Sequence, residues 1–153
     1  MPHIHERIDY CADMLIVNEG AVLLRMHEKY DKWLAPGGHV ELDEDMVEAA
    51  LRVAKEETGL TVKIIGSAET AEGDPGKELI IPRFINRHPI NDVHEHISFI
   101  YFGTSEDRNV DPAPGESRDG FKWFTREDLD DPRYDVPVEI RLHAKAALDT
   151  AGA

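Results

Sequence analysis

Gly38-His39-Val40-Glu41-Leu42-Asp43-Glu44-Asp45-Met46-Val47-Glu48-Ala49-Ala50-Leu51-Arg52-Val53-Ala54-Lys55-Glu56-Glu57-Thr58-Gly59-Leu60 is the stretch whose reading decides the fold of this chain. From Asp43 to Thr58 its apolar residues recur at three- and four-residue spacing. Val47, Ala50, Leu51 and Ala54 predict the buried stripe of an amphipathic helix. Asp43, Glu44 and Asp45 load acid into the first turn, where free amides and the helix dipole favour negative charge. Gly59 supplies the stop. At about 100° per residue, positions 53, 56 and 57 project from one side of this helix, which sets Glu56 and Glu57 together near its end. Ahead of it, Pro36-Gly37-Gly38 breaks regular structure and predicts a loop before position 38.

The same stretch resembles the signature of the Nudix family, G-x5-E-x7-R-E-U-x-E-E-x-G-U, where U is a bulky aliphatic residue. Gly38, Glu44, Arg52, Glu56, Glu57, Gly59 and Leu60 match as they stand. Ala54 stands in for the first aliphatic, and Val53 occupies the place of a glutamate. Trp33-Leu34-Ala35-Pro36-Gly37-Gly38 is similar to the family's lead into this box, and Lys122-Trp123-Phe124 with Asp128-Leu129 to its late strand and short helix. The resemblance implies one Nudix domain over residues 1–153 with its box at 38–60. The implied fold is an α/β/α sandwich, a mixed sheet between helices, with the box helix at about 44–58.

The implied activity is Mg²⁺- or Mn²⁺-dependent hydrolysis of a nucleoside diphosphate joined to another moiety, by attack of a metal-activated water on phosphorus. Substrate classes that fit are (deoxy)nucleoside triphosphates, oxidised triphosphates, ADP-ribose and nucleotide sugars. By the same resemblance Glu56 and Glu57 are metal ligands and the Gly37 carbonyl a third. Glu44 and Arg52 brace the loop against the helix, with Arg52 orienting carboxylates, and Gly38 joins the substrate-binding residues. Clustered carboxylates repel one another, and such hard oxygen donors suit Mg²⁺ or Mn²⁺ completed by substrate phosphates. Val53 leaves three alternatives open: a weakened metal site, a base moved elsewhere, or a nucleotide-binding or regulatory module whose chemistry has lapsed. Glu116 and Asp119, in the loop before Trp123, are the replacement candidates.

Outward from the box, Tyr10–Val17 and Ala21–Met26 read as strands joined by the turn Asn18-Glu19-Gly20. Leu60–Ala68, Leu79–Asn86, His96–Gly103 and Phe121–Phe124 read as further strands by their β-branched and aromatic content. The segment from Thr104 to Gly120, with Asp111-Pro112-Ala113-Pro114-Gly115, reads as a long functional loop. Thr125-Arg126-Glu127-Asp128 resembles a capping box, and Pro137 opens a final helix reaching about Leu148. A helix between sets of strands predicts α/β layering.

Within 153 residues, 31 acids against 17 Lys and Arg give a net charge of −14, which disfavours nucleic acid and anionic membrane surfaces as partners. A small-molecule nucleotide remains compatible with that charge if divalent cations stand between it and the carboxylates. No apolar run reaches the length of a membrane helix and the N-terminus lacks signal-peptide features, so the expectation is a cytoplasmic protein, with a homodimer compatible with the family resemblance. Arg25 on the second strand is a candidate phosphate contact. Tyr30 and Trp33, in a polar loop beside the box, are candidate stacking partners for a base, whereas Phe99 and Tyr101 alternate as core residues do. His94 and His96, two apart on a strand, face the same way and read first as a polar edge or substrate contact, with a metal or proton site as the alternative; His3 and His5, near the terminus, do not read as a site.

Overall fold

The computed structural model describes residues 7–117 and 120–152, so His3, His5 and Asp119 lie outside the described residues. Two long strands, β1 (Ile8–Asn18) and β7 (His94–Thr104), run parallel side by side through the middle of an eight-stranded mixed sheet. The hairpin from β1 into β2 (Ala21–His27) turns on Glu19 and Gly20, both at positive φ, the primed geometry that matches strand twist. β3 (Lys32–Leu34) and β8 (Phe121–Thr125) flank β2, β4 (Gly37–His39) lies on β1, and β5 (Lys63–Ile64) and β6 (Phe84–Asn91) lie on β7.

Alternation along β1 sends side chains to two cores. Leu15 and Val17 pack with Val22, Leu24, Phe102 and Phe124 beneath α2 (Arg126–Leu129) and α3 (Val138–Ala151). Ala12, Met14 and Ile16 pack with Leu23 and Tyr101 beneath α1 (Met46–Thr58). The result is the expected α/β/α layering. No helix among the described residues is long and apolar enough to cross a membrane.

Several boundaries differ from the sequence reading, each for a local reason. α1 begins at Met46 because Asp45 is its N-cap: the Asp45 side chain accepts from the Glu48 amide and the Glu48 side chain from the Asp45 amide. Asp43 and Glu44 therefore precede the helix. Its buried residues are Ala49, Ala50, Val53, Ala54 and Thr58, a stripe rotated towards Val53, with Val47 and Leu51 half-buried at the margin. Gly37-Gly38 is not a loop but part of β4, since lacking side chains lets the backbone lie close along β1. Of Leu60–Ala68, only Lys63–Ile64 finds a partner strand, and the strand expected at Leu79–Asn86 runs instead from Phe84 to Asn91. β6 tolerates Pro89 because among the described strands it pairs only with β7, with a register shift at Pro89. The capping box at Thr125 is present with Asp128 as its fourth residue, and α3 extends to Ala151 with Pro137 as its N-cap.

The loop between β7 and β8 is tied to the end of α1. The Asp111 amide donates to the Thr58 carbonyl at 2.8 Å and the Ala113 amide to the Glu56 carbonyl at 2.8 Å, satisfying helix-terminal acceptors. Gly59 is left-handed at φ +73°, and a Cβ there would stand 2.0 Å from the Asp111 carbonyl oxygen. Gly59→Ala is therefore expected to lower stability by at least about 1–2 kcal/mol, the cost of the left-handed backbone alone. The urea midpoint measures it; an unchanged midpoint would mean that neither the left-handed backbone nor the Asp111 carbonyl restricts position 59.

Candidate active site

Glu44 leaves the turn before α1 and meets Arg52 two turns along the helix. The Arg52 Nε donates to both Glu44 oxygens at 3.2 and 3.0 Å, and its Nη2 donates to Oε1 at 2.6 Å. The same guanidinium donates from Nη1 to Glu56 at 3.1 Å and from Nη2 to the His39 carbonyl at 3.0 Å. One planar cation thus ties the turn, the helix and β4 together, a fork geometry that lysine cannot reproduce. The Arg52 guanidinium holds the Glu44 carboxyl below its ordinary range. Glu56, with 45% of its side chain exposed, faces outward beside this brace.

One position further, Glu57 points inward, with 13% of its side chain exposed. Its Oε1 accepts from Arg25 Nη1 at 2.9 Å and its Oε2 from the Gly37 amide at 3.1 Å. Burial pushes its carboxyl up to about 7, with the Glu116 charge adding and Arg25 and the Gly37 amide opposing. Arg25, expected to reach for a phosphate, has this terminal nitrogen committed to Glu57, while its Nε is buried without a partner.

The residue that sequence reasoning missed is Asp13. It sits on β1 opposite Gly37, and a Cβ on Gly37 would lie within 1.8 Å of its Oδ1, so only glycine leaves room for this carboxylate. Burial, reinforced by the Glu57 charge, raises Asp13 to about 7. The available signal was an acid inside the apolar run Tyr10–Val17.

Val53 is 5% exposed, and a Cβ on Gly38 would meet its Cγ2 at 3.2 Å. Position 53 thus serves packing under β4, while Glu57, four residues on, lies against Gly37. Glu116 comes from the clamped loop, its amide donating to the Ala113 carbonyl at 3.0 Å, and its charge acts on Glu57.

Of the two aromatic candidates, Tyr30 stays 39% exposed with its ring 4.7 Å from that of His27. Trp33 is partly buried and makes T-shaped contacts with Phe124 at 5.0 Å and Tyr134 at 6.4 Å between ring centroids, at the margin of the core. Tyr101 is buried and its hydroxyl donates to the Ile80 carbonyl at 2.9 Å, and Phe99 packs on the same core, as their alternation predicts.

The NUDIX domain family profile matches residues 9–145 of the chain. A hydrolase of the NUDIX family from Clostridium perfringens, solved by crystallography, is 32% identical, covers 94% of this chain and 97% of its own, and superposes with a TM-score of 0.85. The structure of a C. elegans Ap4A hydrolase binary complex, 18% identical over 94% of this chain and 95% of its own, shares the fold with a TM-score of 0.62. The m7GpppN-mRNA hydrolase NUDT17 of Xenopus laevis is 58% identical over 31 residues, which is 20% of this chain and 10% of that protein. The chain thus spans about a tenth of the length of the curated relative it matches.

Proposed function

This chain belongs to the Nudix family of hydrolases, and from that membership we propose that it is a Mg²⁺- or Mn²⁺-dependent pyrophosphohydrolase acting on a nucleoside diphosphate joined to a further group. The observation that carries the reading is that Gly37 meets both Asp13 and Glu57, with the charge of Glu116 acting on Glu57 and the Arg52-braced Glu56 one position before it. Carboxylate oxygens are the hard donors that a small divalent cation takes, and two of these groups are raised chiefly by burial, with the Glu57 charge adding at Asp13 and the Glu116 charge at Glu57. Glu56, Glu57, Asp13 and Glu116 would hold it, with the Gly37 carbonyl as a further donor. A divalent cation held there would neutralise diphosphate charge and would make water a stronger nucleophile at neutral pH.

The protein's own part is positioning. Arg52 fixes Glu56 and Arg25 fixes Glu57, while Gly37 and Gly38 keep the backbone thin enough for a carboxylate on one side and Val53 on the other. In the reaction the water oxygen bonds to phosphorus as the anhydride P–O bond breaks, and the water's proton passes to a carboxylate of the cluster. Asp13 supplies from β1 the acid that position 53 lacks. Tyr30 is the stacking surface for the base, and the substrate is a small nucleotide rather than a nucleic acid, in keeping with the net charge of −14.

The cluster has a consequence for stability. Asp13 and Glu57 titrate near 4 when unfolded and at about 7 when folded, so between these values the native state holds more protons. Stability without metal is therefore expected to fall as pH rises from about 4 to about 7 and to level off above. Added Mg²⁺ should raise the melting temperature more at about pH 8 than at about pH 5, where protons compete for the same oxygens. Thermal melts with and without chelator read this, and an Mg²⁺ shift independent of pH would separate the two acids from the metal.

Release of phosphate or pyrophosphate tests the activity, with and without Mg²⁺ and Mn²⁺, across nucleoside triphosphates, oxidised triphosphates, ADP-ribose and nucleotide sugars. Metal-dependent turnover of one class is the expected result. The burial of Val53 favours one second reading, a nucleotide-binding module without turnover. Silence across the panel with thermal stabilisation by one of these nucleotides would establish that reading and overturn the first.

A further inference from the structure

Four strands converge at the end of the sheet beyond Asp13, and each brings a metal-binding side chain to one face. β1 brings Asp9 and Cys11, β4 brings His39 opposite Cys11, β7 brings His94 and His96 with His96 opposite Asp9, and β6 brings His88 opposite His96. His96 stands at the centre. Its ring lies edge-on to His39 at 5.1 Å, His94 at 5.2 Å and His88 at 5.8 Å. Asp9 Oδ2 lies 2.8 Å from His94 Nε2 and 3.7 Å from His39 Nε2. Two overlapping sets, Cys11–His39–His96 and Asp9–His94–His96, each have donor atoms within 4.8 Å of one another.

We infer that this sheet face binds a single borderline divalent cation of the Zn²⁺ class, with His96 as the common ligand of the two sets. Imidazole nitrogens joined by a thiolate or a carboxylate are the donors such ions prefer, whereas Mg²⁺ prefers oxygen alone. Donor atoms around a tetrahedral Zn²⁺ stand about 3.4 Å apart, so separations within 4.8 Å close by side-chain rotation without movement of the strands. Access is open as well: the side chains of His39, Asp9 and His94 are 58%, 44% and 25% exposed. The site adjoins the Glu57 cluster without coinciding with it, because Cys11 and Asp13 are alternate residues on one face of β1, about 7 Å apart. β4 links the two, carrying His39 to this site and the Gly37 amide to Glu57.

The test is titration of the full chain with Zn²⁺, and separately with Co²⁺, by calorimetry in saturating Mg²⁺. Glu57→Gln, His96→Ala, His39→Gln and His94→Gln are measured beside the parent. One equivalent bound by the parent and equally by Glu57→Gln is expected, which separates this site from the Mg²⁺ proposal. His96→Ala should weaken binding by at least about tenfold. Circular dichroism without metal checks its fold, and His39→Gln and His94→Gln keep the test open if it fails. The Co²⁺ spectrum names the set: a near-ultraviolet sulfur-to-cobalt band assigns Cys11 and His39, and visible bands without it assign Asp9 and His94, either of which supports the site. No tight equivalent in the parent, or equal binding by all three histidine variants, overturns it.

Discussion

Glu57→Gln is expected to lower divalent-metal-dependent turnover by at least about tenfold while the fold stays intact. Glutamine keeps the length of the side chain, and its amide oxygen can still accept from Arg25 Nη1 or from the Gly37 amide, as the carboxylate does at 2.9 and 3.1 Å. What it loses is the charge, which is what holds a cation against a diphosphate. Removing a buried negative charge near Asp13 and Glu116 also relieves repulsion, so the metal-free melting temperature above about pH 7 should not fall. Steady-state turnover at saturating Mg²⁺ together with thermal melts separates the two effects. Turnover at the parent's level would take Glu57 out of the metal-holding set.

The second large effect is expected at Asp13. Asp13→Asn should lower turnover, or raise the Mg²⁺ concentration needed for half-maximal turnover, by about 10–100-fold, the range seen when a carboxylate supporting a metal site is removed. Asparagine fills the same space against Gly37, where a Cβ would lie 1.8 Å from the Asp13 oxygen, so the packing of β4 on β1 survives. With Asp13 neutral, the Glu57 carboxyl loses a charged neighbour, and the metal-free variant should be more stable than the parent above about pH 7. A variant both poorer in catalysis and more stable without metal is the mark of a carboxylate kept for function. Unchanged turnover and metal dependence would leave Asp13 a spectator and return the search to Glu116.

What could be read from the sequence was what is local in it. The box is contiguous, so helix periodicity, the Gly59 stop and the Glu44–Arg52 spacing all lie within one stretch, and each reappears as an element or a contact. Sheet pairing is not local. Gly37-Gly38 reads as a break unless β1 is known to lie beside it, and Leu60–Ala68 has strand composition along a length for which β7 offers only two partners. Asp13 was hidden in the same way: within an apolar run nothing marks one acid as facing a helix residue 44 positions later, and only the β1–β4 register brings them together. Trp33 shows the converse, a polar neighbourhood in sequence around a ring that the fold turns onto Phe124. His94-Glu95-His96 was legible because strand alternation is local. Both histidines share a face, while Glu95 pairs with Arg7 and Arg87.

The clamp on the loop before β8 has a bearing on how this scaffold can change over time. Main-chain amides of Asp111 and Ala113 hold the loop to the last carbonyls of α1, so the anchorage asks little of side-chain identity and forbids only proline at those two donors. A substitution at Glu116 leaves these two anchoring bonds in place and changes the charge that acts on Glu57. The box and the loop can therefore drift at different paces: the former is tied down by its side-chain charges, and the latter is anchored by main-chain bonds that most side chains leave undisturbed.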